Sequence, residues 1–177
     1  RGGPRGPGDK GGDCWSPGGL DTPCGQVHPR AGPGPADGRA VMWMNHSRTD
    51  EIGDTYAGLM GPMEITRQGM AKPDGSPIDV AREIFELFSV VNETASTLLH
   101  ESLERFAGPP FPVDDDAQFE ESNLMHSING YVYGNQPMLT LQRGQRVRWY
   151  VMSMGTEVDL HTPHWHGNDV VVAGMRM

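Results

Sequence analysis

Three histidines fall within six residues in the stretch DLHTPHWHG: His161, His164 and His166, with Pro163 between the first two and Trp165 between the last two. Imidazole is a borderline donor that suits copper, zinc, iron and nickel, and a protein selects among these through geometry and co-ligands. On an extended strand His164 and His166 share a face, so they can approach one ion or two adjacent ones. His161 lies an odd number of residues from both, faces the other way and can serve a different site. A turn with surface histidines is the plain alternative, but this density of imidazoles favours a metal site.

A second group with possible chemistry is VDDDAQFEESNLMHSING, where Asp114, Asp115, Asp116, Glu120 and Glu121 precede His126. Such a run is ordinarily a solvated acidic loop. Hard carboxylates beside an imidazole also suit iron. Of the other histidines, His46 follows an apolar run in VMWMNHSRTD, while His100 and His28 read as exposed side chains. Cys14 and Cys24 are compatible with a small disulfide loop and equally with two unpaired thiols.

The elements that must position these residues are mostly short strands. Residues 1–39 hold Gly and Pro tracts such as RGGPRGPGDKGG and read as a disordered head or linker. From Ala40 the texture changes, with AVMWMNHS and MEIT as strand candidates around a turn-rich DEIGDTYAGLMGP. RQGMAKPDGSPID then reads as a surface connection, which divides the chain into segments 40–67 and 78–177 joined by a linker at 68–77. VAREIFELFSVV reads as a strand with Ile84, Leu87 or Phe88, and Val90 towards a core, with a helical reading of AREIFELF left open. NETASTLLHESLERF has helical spacing at Leu98, Leu99, Leu103 and Phe106. YVY, MLTLQ and VRWYVMS are further strands, so the class is all-β, an antiparallel sandwich or Greek-key barrel.

Composition narrows the partners. The formal charge is −9, from 23 acids against 14 bases, and no Lys/Arg cluster could track a phosphate backbone, which argues against nucleic acid. No apolar run approaches the ~20 residues that span a bilayer. The start at Arg1 reads as a processed end or the edge of a fragment. Asn45-His46-Ser47 and Asn92-Glu93-Thr94 are acceptor triplets for N-linked glycans in a secreted protein, and point to an extracellular or cell-surface setting.

DLHTPHWHG resembles the HxxHxH element of multicopper oxidases. GNQPMLTLQRGQRVRWYVMSMGTEVDLHTPHWHG is similar to the final cupredoxin domain of ferroxidases of the ceruloplasmin and hephaestin type, and DTYAGLMGPMEIT and FEESNLMHSINGYVYGNQP resemble the same family. The resemblance covers roughly residues 31–177 and implies a cupredoxin-like Greek-key β-sandwich fold. Segment 40–67 would be the end of one such domain and 78–177 the first part of the next. By position it makes His161 a ligand of a type 1 copper, His164 of a type 2 copper and His166 of a type 3 copper. It makes Glu121 and His126 part of a site for substrate iron. It implies oxidation of ferrous iron coupled to reduction of dioxygen to water, with copper in a type 1 site and a trinuclear cluster, and with further cupredoxin domains as partners.

Departures from the family pattern set limits on that expectation. The family's HCHxxxHxxxGM element, which supplies the thiolate and further imidazoles, is absent from the 177 residues, and Met175 has no Cys or His before it at the required spacing. The chain alone is therefore not expected to turn over. Where copper-binding relatives read WxYHSH, this chain has Asn45-His46-Ser47-Arg48, so His46 is at most a type 3 candidate beside a guanidinium that cannot ligate. That change fits an alternative, a non-enzymatic cupredoxin-like module resembling the A domains of coagulation cofactors. The intact HTPHWH element argues against it, and the FEESNLMHSING stretch argues against a laccase-like oxidase of phenols.

Overall fold

The computed structural model describes residues 31–110, 117–155, 161–172 and 175–176. Cys14, Cys24, His28, Asp114, Asp115, Asp116 and Met177 lie outside the described residues. What is described is an all-β, cupredoxin-like chain carrying three short helices.

β1 (Ala40–His46) and β2 (Met60–Thr66) form a two-stranded antiparallel sheet, in register from Ala40 opposite Thr66 to His46 opposite Met60. The turn-rich connection contains one helical turn, α1 (Gly53–Tyr56), entered through Asp50, whose Oδ1 accepts from the Gly53 amide at 3.0 Å. An acceptor side chain at this place satisfies an amide that the helix cannot.

The larger sheet has the order β5-β4-β3-β6. Its longest member is β3 (Arg82–Asn92), flanked by β4 (Leu124–Ile128) on one side and β6 (Val147–Met154) on the other, with β5 (Tyr131–Val132) beyond β4. β4 and β5 pair antiparallel, but β6 runs parallel to β3, from Arg82 opposite Val147 to Ser89 opposite Met154. The sheet is thus mixed rather than purely antiparallel. A parallel neighbour demands a long crossover, and the chain between β5 and β6 provides it. That crossover contains MLTLQ, which is not a strand: the segment pairs with no ladder, and Met138 is 92% exposed. A last small hairpin pairs β7 (Val171–Val172) with β8 (Met175–Arg176).

The helical spacing after β3 yields α2 (Leu99–Ser102), continued by a wider helical turn over Leu103–Ala107. It does not bury its apolar side chains, since Phe106 is 80% exposed and Leu98 46%. α3 (Ala117–Ser122) leads into β4.

Ile84, Tyr150, Met152, Ala40 and Val80 form the buried apolar core, while Leu87, Phe88 and Val90 are only half-buried. The Tyr150 ring stacks on Phe85, its neighbour across the β3–β6 ladder, with centroids 4.8 Å apart. Its hydroxyl reaches Glu83 at 2.9 Å and Glu64 of β2 at 3.2 Å, and so ties the two-stranded sheet to the larger one. Burial, and then the bond to Glu83, pushes the Tyr150 phenol well above its usual range. Glu64 is also held above the ordinary carboxylate range, first by burial and then by its bond to Glu83. Beside this junction Arg148 donates to Asp79 at 2.8 Å, and Arg39 approaches the same carboxylate at 3.7 Å. In the connecting segment Pro77 is fully buried and pairs with Ala71 in a single bridge.

Candidate metal centre

The histidine segment follows β6, so the sheet fixes where it begins. Residues 161–170 form an irregular stretch with a turn, and not the extended strand that the spacing suggested. Pro163 has no amide hydrogen to give to a ladder, which disfavours a strand here. Local bonds hold the segment instead. Trp165 meets Trp149 of β6 edge to face at 5.6 Å, and Asn168 donates through Nδ2 to the His166 carbonyl at 2.9 Å. At the far end Asp169 pairs with Arg176 of β8.

The three imidazoles do not lie together. His164 and His166 converge, with their Nε2 atoms 3.0 Å apart and their rings at 71°. Nδ1 of His164 is 3.4 Å from the Thr162 carbonyl, which can only accept, so Nδ1 is the donor in any bond between them. Two imidazole nitrogens bound side by side at about 2.0–2.1 Å from one ion stand roughly 2.9 Å apart at a right angle. The observed spacing matches that distance and equally that of an imidazole–imidazole hydrogen bond. His161 points elsewhere and lines a different cavity.

That cavity, of about 610 Å³, brings His161 from the histidine segment together with His126 from β4 and Met154 from the end of β6. A second cavity of about 410 Å³ is lined by His164, Trp165, Trp149, Gln136 and Glu86. Phe88, Ile128 and Gln136 line both and form the wall between them. His161 and His164 thus line different cavities, but the strand alternation expected to separate them is absent.

Glu121 sits on the exposed surface of α3 and does not line the cavity that contains His126. Among the described residues no three His, Cys, Asp or Glu side chains gather closely enough to hold an ion. His46 lies at the end of β1 and lines neither cavity. Its Nδ1 donates to the Ser47 carbonyl at 2.8 Å, with Glu51 at 3.6 Å.

Sequence reasoning missed Glu86. It is 5% exposed on β3, where alternation alone would assign an apolar side chain, and Gln136 Nε2 donates to both of its oxygens at 3.0 and 3.1 Å. Asn129 Nδ2 donates to it at 3.0 Å. The two amides were legible as turn residues in INGYVYGNQP, but nothing in their spacing named a carboxylate as their partner.

In sequence the chain is similar over most of its length to proteins of the multicopper oxidase class. The chain belongs with the ferroxidases of the ceruloplasmin and hephaestin group. Hephaestin of Rattus norvegicus is 41% identical over 153 residues, Ferroxidase HEPHL1 of Mus musculus 39% over 153 and Ceruloplasmin of Homo sapiens 38% over 151, each match covering 85% of this chain. The chain spans only 13% of the first two and 14% of the third. No family model matches it.

Proposed function

We propose that this chain supplies part of the copper and iron sites of a ferroxidase, a protein that oxidises ferrous iron and reduces dioxygen to water. The observation that carries the reading is the division of the imidazoles: His161 shares a cavity with His126, while His164 and His166 converge outside it. In this reading His161 holds a type 1 copper, and His164 and His166 hold the type 2 and type 3 ions of a trinuclear cluster. Copper so bound supplies one-electron redox chemistry.

The chain's own residues orient and shelter these donors. Thr162 fixes the His164 ring through its carbonyl, and Trp165 against Trp149 pins the loop that carries both nitrogens. His126 provides a donor for substrate iron on the other side; Glu121 is assigned to the same site although it lies outside that cavity on α3, and the remaining ligands come from other cupredoxin domains. His46 is the weakest candidate, because it lines neither cavity and Arg48, which cannot ligate, stands two residues on. Segments 40–67 and 78–177 are assigned to successive domains, and the setting is extracellular or at the cell surface. Among the described residues no helix is long and apolar enough to cross a membrane.

The experiment is a Cu(II) titration of the chain. It binds copper through the histidine segment without the intense blue absorption of a copper thiolate. Simultaneous change of His161, His164 and His166 to Ala abolishes that binding, and copper binding unaffected by the triple change would sink the assignment.

A further inference from the structure

Trp43 is a large indole left 51% exposed on β1, and it is not loosely placed: its Nε1 donates to the Ala31 carbonyl at 2.8 Å. Two residues on, Asn45 shares its face of the strand and is exposed. The residue opposite Asn45 is Gly61, and a side chain built there would meet nothing within 4 Å. An acceptor amide, a fixed aromatic face and empty space across the ladder thus occur together.

We propose that Asn45 carries an N-linked glycan whose first sugar packs on Trp43. The inference rests on the extracellular reading above. Asn45 Nδ2 attacks C1 of an N-acetylglucosamine at the reducing end of a lipid-linked oligosaccharide. A C–N bond forms, the C1–O bond breaks, and a polyisoprenyl diphosphate leaves while the amide gives up one proton. The sugar's C–H face is apolar and slightly positive, which matches the negative face of an indole. It covers surface that the strand leaves wet, and Met63 opposite Trp43, 37% exposed, extends the same floor.

The second triplet is built differently. Asn92 is half-buried, its Oδ1 accepts from the Thr94 amide at 3.0 Å, and its Nδ2 faces Glu120 of α3 at 3.4 Å. The nitrogen that would bear a sugar points at a neighbouring helix. Asn92 is a turn residue and stays unmodified.

The test expresses the 177-residue chain behind a secretion leader in eukaryotic cells and reads intact mass. One glycan is expected, lost in N45Q and in Ser47→Ala, and kept in N92Q and in Ser47→Thr. The glycosylated chain melts at a higher temperature than N45Q, and Trp43→Ala keeps the glycan but loses that gain. A glycan on Asn92, none on Asn45, or a gain that survives Trp43→Ala overturns the proposal. The added leader separates this outcome from the extracellular reading, which is tested by the mass of the protein isolated from its natural source.

Discussion

Glu86 is the side chain on which the wall between the two cavities depends. Its carboxylate receives both Gln136 and Asn129, and Asn129 in turn accepts from the Leu87 amide at 2.9 Å and donates to the Phe85 carbonyl at 2.9 Å. Removing the acceptor takes a partner from the half-buried Gln136 amide, while the exposed Asn129 keeps the Phe85 carbonyl. Glu86→Ala is expected to lower stability by about 3 kcal/mol, since hydrogen bonds to charged groups contribute roughly 1.5–3 kcal/mol each and the empty volume adds to the loss. Urea unfolding measures this, and Glu86→Gln recovers a large part of it. At this scale the sequence was readable where chemistry is local, as with the imidazoles, and unreadable where a residue's partner lies some 40 to 50 positions away, as with Glu86.

At the scale of elements, β6 does most to aim the metal segment. It is followed by Gly155, where a Cβ would lie 2.9 Å from the Val90 amide nitrogen of β3. The two backbones approach closely at the point from which the chain leaves for His161. Gly155→Ala must push β6 away from β3 and is expected to cost about 1–3 kcal/mol. It also weakens copper binding in the same titration, and an unchanged affinity would show that the histidine segment holds its own shape. β1, β2, β3 and β6 were legible because their apolar and β-branched runs meet partner edges. MLTLQ has the same composition but pairs with no strand, and HTPHWHG has strand spacing with a proline in it; sequence pattern does not register either condition.

Across the whole molecule, the two sheets meet at Glu64, Glu83 and Tyr150, with Thr66, Arg148, Asp79 and Arg39 around them. Glu64 is raised above its unfolded value by burial and by Glu83, so the folded chain binds more protons between the two values. Stability from this group is complete below the unfolded pKa and is lost as pH rises through the folded one. Wild type is therefore expected to lose melting temperature relative to Glu64→Gln as pH rises from about 4.5 towards neutrality. Parallel melting curves for the two proteins over that range would remove Glu64 from the junction.

The parallel pairing of β6 with β3 also has a kinetic meaning. Arg82 and Val147 are ladder partners separated by most of the larger sheet's sequence, whereas β3 meets β4 across a much shorter loop. Long-range parallel pairing is slow because loop-closure entropy is lost before any contact repays it. The histidine segment, suspended from the end of β6, acquires its shape only after that closure. An ion that recognises the converged nitrogens binds the finished sheet alone, and draws the folding equilibrium towards it by mass action.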